Sequence, residues 1–182
     1  MIVGVDLSLT GTGIAVWLPN GQLATSTVDG TRLRGMPRVQ EIFSRVMPPV
    51  SATDALVVIE GYAYGSKSPN QYELAELRGL ILYALWLRGS PVVTIPPPSL
   101  KKYATGRGNA GKDEVLLAVE RRYGHLVQVH TNDEADALTL LAMALHHYGR
   151  PLATVPGTHA GALRGSAKAP LRWPNYELGG TP

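Results

Sequence analysis

The chain has no cysteine in 182 residues, which excludes disulfides and thiolate metal sites. Its longest unbroken apolar run, Leu80 to Leu87, is far short of the roughly 20 residues a bilayer-spanning helix needs, so a core helix is expected there. No basic segment followed by an apolar one opens the chain, and the expectation is a cytoplasmic protein that stays off membranes. Neither sign of charge dominates: 17 Lys and Arg face 14 Asp and Glu, a net +3. No internal repeat is visible. What remains is 45% hydrophobic and 17% charged residues, the composition of a soluble globule long enough to bury a core.

The positive charge is unevenly placed. Lys101 to Arg122 holds six basic and three acidic residues. From residue 151 onward three basic residues face one acid, so the tail carries +2. Basic residues near an acidic pocket suit a phosphate backbone approaching a metal site; on charge alone, solvated lysines are the simpler account.

Alternating and β-branched runs predict strands at Val3–Leu7, Gly13–Leu18 and Gln22–Val28. Asn20-Gly21 predicts a two-residue hairpin with φ > 0 at both positions. Val39, Ile42, Phe43 and Val46 share one face of a helix over Pro37–Met47, expected to stop at Pro48-Pro49. A strand Ala55–Glu60 follows, then Gly61–Ser68 as a loop, then a helix from about Pro69 to Arg88 closed by Gly89. Pro91–Ile95 reads as a strand closed by Pro96-Pro97-Pro98, followed by Ser99–Tyr103 and a glycine-rich turn. Helices are predicted over Lys112–Tyr123 and from Thr131 to Tyr148, the second opened by a Thr131…Glu134 capping box. Residues 1–150 form the expected domain, and the Gly- and Pro-rich 151–182 a flexible tail or docking arm. This order predicts an α/β fold: a mixed five-stranded sheet, three antiparallel strands then two parallel ones, flanked by helices.

Four carboxylates stand out. Met1–Val5 climbs into Asp6, Leu56–Ile59 climbs into Glu60, and Asp133 and Asp136 lie three apart on one helix. Each alone has a bland explanation: Asp6 ends a strand, Glu60 is a solvated strand end, and Asp133 and Glu134 complement a helix dipole. Asp136 resists that account, because it heads the apolar stretch Leu138–Leu145 and a buried charge needs a partner. Four oxygen donors brought to one point suit Mg²⁺ or Mn²⁺, and two such ions hold the attacking and leaving oxygens of a phosphodiester exchange.

The runs Asp6-x-Ser8-x-Thr10-Gly11-x-Gly13, Val57-Val58-Ile59-Glu60 and Asp133-x-x-Asp136-Ala137-Leu138 resemble RuvC-type Holliday junction resolvases. Leu77-Arg78-Gly79-Leu80 resembles that family's Ala-Arg-Gly helix. Lys101-Lys102-x-x-x-Gly106-x-Gly108-Asn109-Ala110-x-Lys112 is similar to its lysine- and glycine-bearing segment. The resemblance spans roughly residues 1–150. It implies a ribonuclease-H-like fold, a homodimer, and metal-dependent paired cutting of four-way DNA junctions that leaves 5′-phosphate and 3′-hydroxyl ends. It implies two Mg²⁺ per site, replaceable by Mn²⁺, on Asp6, Glu60, Asp133 and Asp136, with Lys112 beside them in catalysis. Thr10, Arg78, Lys101, Lys102, Arg107, Asn109 and Lys112 are expected along the DNA. Tyr62, Tyr64 and Lys67 join them from the loop after Glu60, where either tyrosine could stack on an unpaired base.

Two other classes share these features. Actin-like ATPases and sugar kinases open on a similar acidic strand and phosphate-holding hairpin, but need two copies of the fold around a nucleotide, and the expectation here is no nucleotide cofactor. A non-catalytic junction-binding protein would leave four carboxylates without a task. The histidines, His125, His130, His146 and His147 among them, are assigned no catalytic role.

Overall fold

The computed structural model describes residues 1–50, 55–62, 71–167 and 169–178. The elements run β1 (Ile2–Asp6), β2 (Gly11–Trp17), β3 (Leu23–Asp29), α1 (Gly35–Val50), β4 (Leu56–Glu60), α2 (Gln71–Leu87), β5 (Val92–Ile95), α3 (Pro97–Thr105), α4 (Lys112–Tyr123) and α5 (Asn132–His147). A short helix α6 (Gly157–Ala160), a 3₁₀ turn (Gly161–Arg164) and a small ribbon of β6 (Gly165–Ser166) with β7 (Ala169–Pro170) complete the described chain.

The main sheet has the order β3-β2-β1-β4-β5. β1, β2 and β3 are antiparallel neighbours, and β4 and β5 run parallel to β1. This is the mixed five-stranded sheet that the order of elements predicted. Alternation along each strand divides two cores. Ile2, Ala15, Leu56, Val58 and Ile95 face α3, α4 and α5, while Val3, Val5, Ile14, Val57 and Ile59 face α1 and α2.

Several local expectations are corrected. Leu18 and Gln22 pair across a three-residue loop, with the Gly21 N–H on the Leu18 carbonyl at 2.9 Å and φ of +87° at Gly21 alone. Asn20 instead uses its side chain, accepting the Gln22 N–H at 3.0 Å, so only the glycine takes the left-handed conformation. Pro48 and Pro49 lie inside the last turn of α1 rather than ending it, because their φ is already helical. Pro97 and Pro98 start α3, where the missing N–H groups would have no helical partner. Glu134 makes half a capping box: Thr131 Oγ1 accepts the Glu134 N–H at 3.1 Å, but Glu134 Oε2 accepts from the His130 N–H at 2.7 Å.

The segment from residue 151 was expected to be a flexible tail or a docking arm; several of its described residues pack on the core. Leu152, Val155, Leu163, Leu171, Trp173 and Tyr176 are partly buried against it. The Trp173 ring stacks on His147 at 4.5 Å, and its Nε1 donates to the Leu163 carbonyl at 3.0 Å. Tyr148 donates to the Pro174 carbonyl at 2.8 Å, and Tyr176 to the Met1 carbonyl at 2.7 Å. Sparse but large aromatics anchor a strap that composition alone reads as coil.

Candidate active site

Strand parity gathers the first two carboxylates. Val5 pairs with Ile59, so Asp6 and Glu60, the next residues, end adjacent strands side by side. Two-residue periodicity then turns both toward the face that holds Ile2, Leu56 and Val58, the face α5 covers.

Glycines bring α5 down onto that face. A Cβ at Gly4 would overlap the Ala137 carbonyl, one at Gly13 would overlap the Asp133 carbonyl, and one at Gly11 would strike the Asp133 carboxylate. The first turns of α5 therefore lie against β1 and β2 backbone, delivering Asp133 and Asp136 beside Asp6. Sequence reasoning quoted these glycines and missed their role; the available signal was two glycines at alternate positions, Gly11 and Gly13, where a packed strand normally carries side chains.

The four carboxyls feel one another. Burial raises Asp6 well above the ordinary aspartate range, and the charge of Glu60 and a shared hydrogen bond with it raise it further. Burial and then the Asp136 charge push Glu60 up to about 6. Burial and then the Asp6 charge push Asp136 up to about 7. Asp133, less enclosed, is raised mainly by burial. Lys112 opposes the rise at all four and Lys101 at Glu60 and Asp136, so both ammonium groups lie within electrostatic reach. Among the described residues, no three acidic or histidine side chains are already set in ligand geometry about one point. The arrangement is a crowded acidic cluster, its carboxyls held above their ordinary range, with two lysines in electrostatic reach.

The residues expected along DNA fall into groups. Thr10 is exposed at the β1–β2 turn, its hydroxyl 3.1 Å from Ser8 Oγ. Lys102 and Asn109 are exposed, and Lys112 stands exposed at the first residue of α4. Arg107 is exposed and grips Glu114 at 2.7 Å. Tyr62 is exposed, whereas Tyr64 and Lys67 lie outside the described residues. Arg78 differs: it is buried, donating to the Glu60 backbone carbonyl and, at 3.2 Å, to Thr94 Oγ1, with its guanidinium 5.0 Å from the Tyr62 ring. Its place is beneath the end of β4, bracing the backbone that carries Glu60.

Residues 2–147 match the family model for the crossover junction endodeoxyribonuclease RuvC. The chain belongs to the RuvC family. A RuvC from Synechococcus sp. (strain WH7803) is 31% identical over 146 residues, covering 76% of this chain and 94% of that protein. One from Anaeromyxobacter sp. (strain K) is 30% identical over 170 residues, covering 88% and 87%. Two solved structures share the fold. The Thermus thermophilus RuvC structure has a TM-score of 0.59 at 23% identity, over 85% of this chain and 99% of that one. The T. thermophilus RuvC structure in complex with Holliday junction substrate has a TM-score of 0.60 at 21% identity, over 85% and 98%. Membership in the family agrees with the mixed five-stranded sheet flanked by helices. Among the described residues no helix is long and apolar enough to cross a membrane.

Proposed function

We propose that this chain is a metal-dependent, structure-selective endonuclease that resolves Holliday junctions by paired symmetric nicks. The observation that carries the reading is the convergence of Asp6, Glu60, Asp133 and Asp136, by strand parity and by the glycine-permitted approach of α5, into one lysine-flanked cluster. Carboxyls raised by burial and by one another's charge lose that penalty when divalent cations bind, and an oxygen-only donor set suits Mg²⁺, with Mn²⁺ as a substitute. Two such ions in this site would supply an activated water and neutralise the phosphate oxygens, with 5′-phosphate and 3′-hydroxyl products. Lys112 is placed to hold the scissile phosphate, with Lys101 or Lys102 along the same strand. Arg78 holds the Glu60 backbone in register, and Tyr62 is presented for stacking on an unpaired base.

Two symmetric nicks call for a two-fold dimer. The reading seats the second copy on α2, where Tyr83, Trp86 and Leu87 are exposed and Tyr83 stacks with Trp86 at 6.0 Å. Residues 1–150 constitute the nuclease unit, and the C-terminal segment braces the end of the sheet away from the cluster.

The test is cleavage of a labelled synthetic four-way junction and of a linear duplex, with and without Mg²⁺, by the wild type and by Asp6→Asn. Paired nicks in the junction alone, dependent on metal and reduced about a thousandfold in the variant, are expected from the several kcal/mol that metal-held charge contributes. Cleavage unchanged in Asp6→Asn would sink the reading; equal cutting of linear duplex would make the chain a broader nuclease.

A further inference from the structure

The turn between β3 and α1 has a place at the site that no family motif gave it. β3 runs in the same direction as β1, since both are antiparallel to β2, so Asp29 at its end shares the rim that carries Asp6 and Glu60. Asp29 pairs with Gly11, the residue whose missing Cβ makes room for the Asp133 carboxylate. The turn beyond is pinned to that rim. The Gly30 N–H donates to the Thr10 carbonyl at 3.2 Å, and Gly30 lies so close to the Leu9 carbonyl that a Cβ would overlap it. Asp29 accepts from both the Thr31 backbone N–H, at 2.8 Å, and the Thr31 hydroxyl, at 2.6 Å.

A turn held this tightly presents Arg32, Leu33, Arg34 and Met36 to solvent, Met36 at 63% exposure. Among the described residues neither arginine forms an ion pair, although Asp29 feels the charge of Arg32. On the opposite side Lys101 comes from α3, directly after the edge strand β5, and its charge reaches Glu60 and Asp136, while Lys112 at the start of α4 reaches all four carboxyls. The Arg32–Arg34 turn and Lys101 therefore follow the two edge strands, β3 and β5, at the rim that carries the cluster, with Lys112 beside the cluster itself.

We propose that Arg32 and Arg34 are a second phosphate-binding element, gripping the backbone of the DNA arm that leaves the cluster over the β3 edge, on the side away from Lys101. This rests on the nuclease reading above and assigns the duplex a direction across the site. Arginine suits the role, since its planar fork holds a phosphate through paired hydrogen bonds. The contact reads backbone and not base sequence.

The test measures junction binding by the full chain in Ca²⁺ across a salt series. The proteins are the wild type, Arg32→Gln, Arg34→Gln and both together, with Arg172→Gln as a charge-matched control. Arg172 is exposed beside Trp173, which stacks on the far end of α5. Each phosphate contact contributes about 0.9 to the slope of log K against log salt. The expected result is a slope shallower by about 0.9 in each single variant and about 1.8 in the double, equally for junctions of different sequence, with Arg172→Gln unchanged. Slopes equal to wild type in both single variants would overturn the proposal while the wild type still binds and cleaves, leaving the nuclease reading intact. Failure of the wild type to bind any junction would overturn both.

Discussion

At the scale of single residues, the carboxyl cluster makes the chain's stability depend on pH in a direction opposite to that of an ordinary salt-bridged acid. Glu60 and Asp136 titrate near 6 and 7 in the folded chain because burial and neighbouring charge disfavour ionisation. Unfolded carboxyls titrate near 4. The folded state therefore holds these protons more tightly, and the resulting stability is fully present below about pH 4 and lost as the pH rises through 7. In EDTA, denaturant unfolding should show this contribution declining between pH 5 and pH 8. Asp136→Asn should flatten the decline and make the chain more stable than wild type at pH 8, on the order of 2 kcal/mol. Saturating Mg²⁺ should erase the wild-type decline, and a variant less stable than wild type at pH 8 without metal would contradict the account. Arg78 teaches a different lesson at this scale. Its position in a motif suggested the DNA surface, yet burial and its bond to the Glu60 carbonyl make it a brace for a neighbouring strand.

Among the elements, α5 decides the site, and it does so through what the strands beneath it lack. A methyl at Gly4 would overlap the Ala137 carbonyl and sit 2.9 Å from the Leu141 backbone nitrogen. Because the obstacles include helix backbone, α5 must move as a body, carrying Asp133 and Asp136 with it. Gly4→Ala should cost about 2 kcal/mol in unfolding free energy, in the range for overpacking. It should also reduce junction cleavage by about a hundredfold, the scale of a 1 Å displacement of reacting groups. Unfolding and single-turnover cleavage measured on the same preparation would check this; full activity with lowered stability would show that the helix yields elsewhere. The strand pattern, the α1 face and the position of α5 were readable from residue periodicity. The role of the prolines in α1 and α3 was not, since the same residue both ends and starts helices depending on which backbone donors the neighbours need.

For the molecule as a whole, the exposed aromatic surface of α2 sets the oligomeric prediction. Trp86 is 72% exposed, and Tyr83 and Leu87 more than half, on a helix whose Leu77, Ile81 and Leu85 already fill the core. A solvated helix face of that kind is costly unless a partner covers it. Trp86→Glu should convert a dimer to a monomer by light scattering and turn paired nicks into isolated ones. A wild type that is monomeric at micromolar concentration would move the dimer contact off α2. The strap from residue 151 belongs to this scale as well: its anchors, Trp173 on His147 and Tyr176 on Met1, join segments far apart in the chain.

By itself the sequence determined the sheet, the order of its helices, the four carboxylates and the family resemblance, because periodicity and local motif chemistry act over a few residues. Only the tertiary structure decided that α5 rides on bare glycine backbone, that Arg78 is buried and that Leu171, Trp173 and Tyr176 of the terminal segment pack on the core. Those depend on packing between different elements, from Arg78 on the Glu60 carbonyl 18 positions away to Tyr176 on Met1 175 positions away, where no local pattern records it.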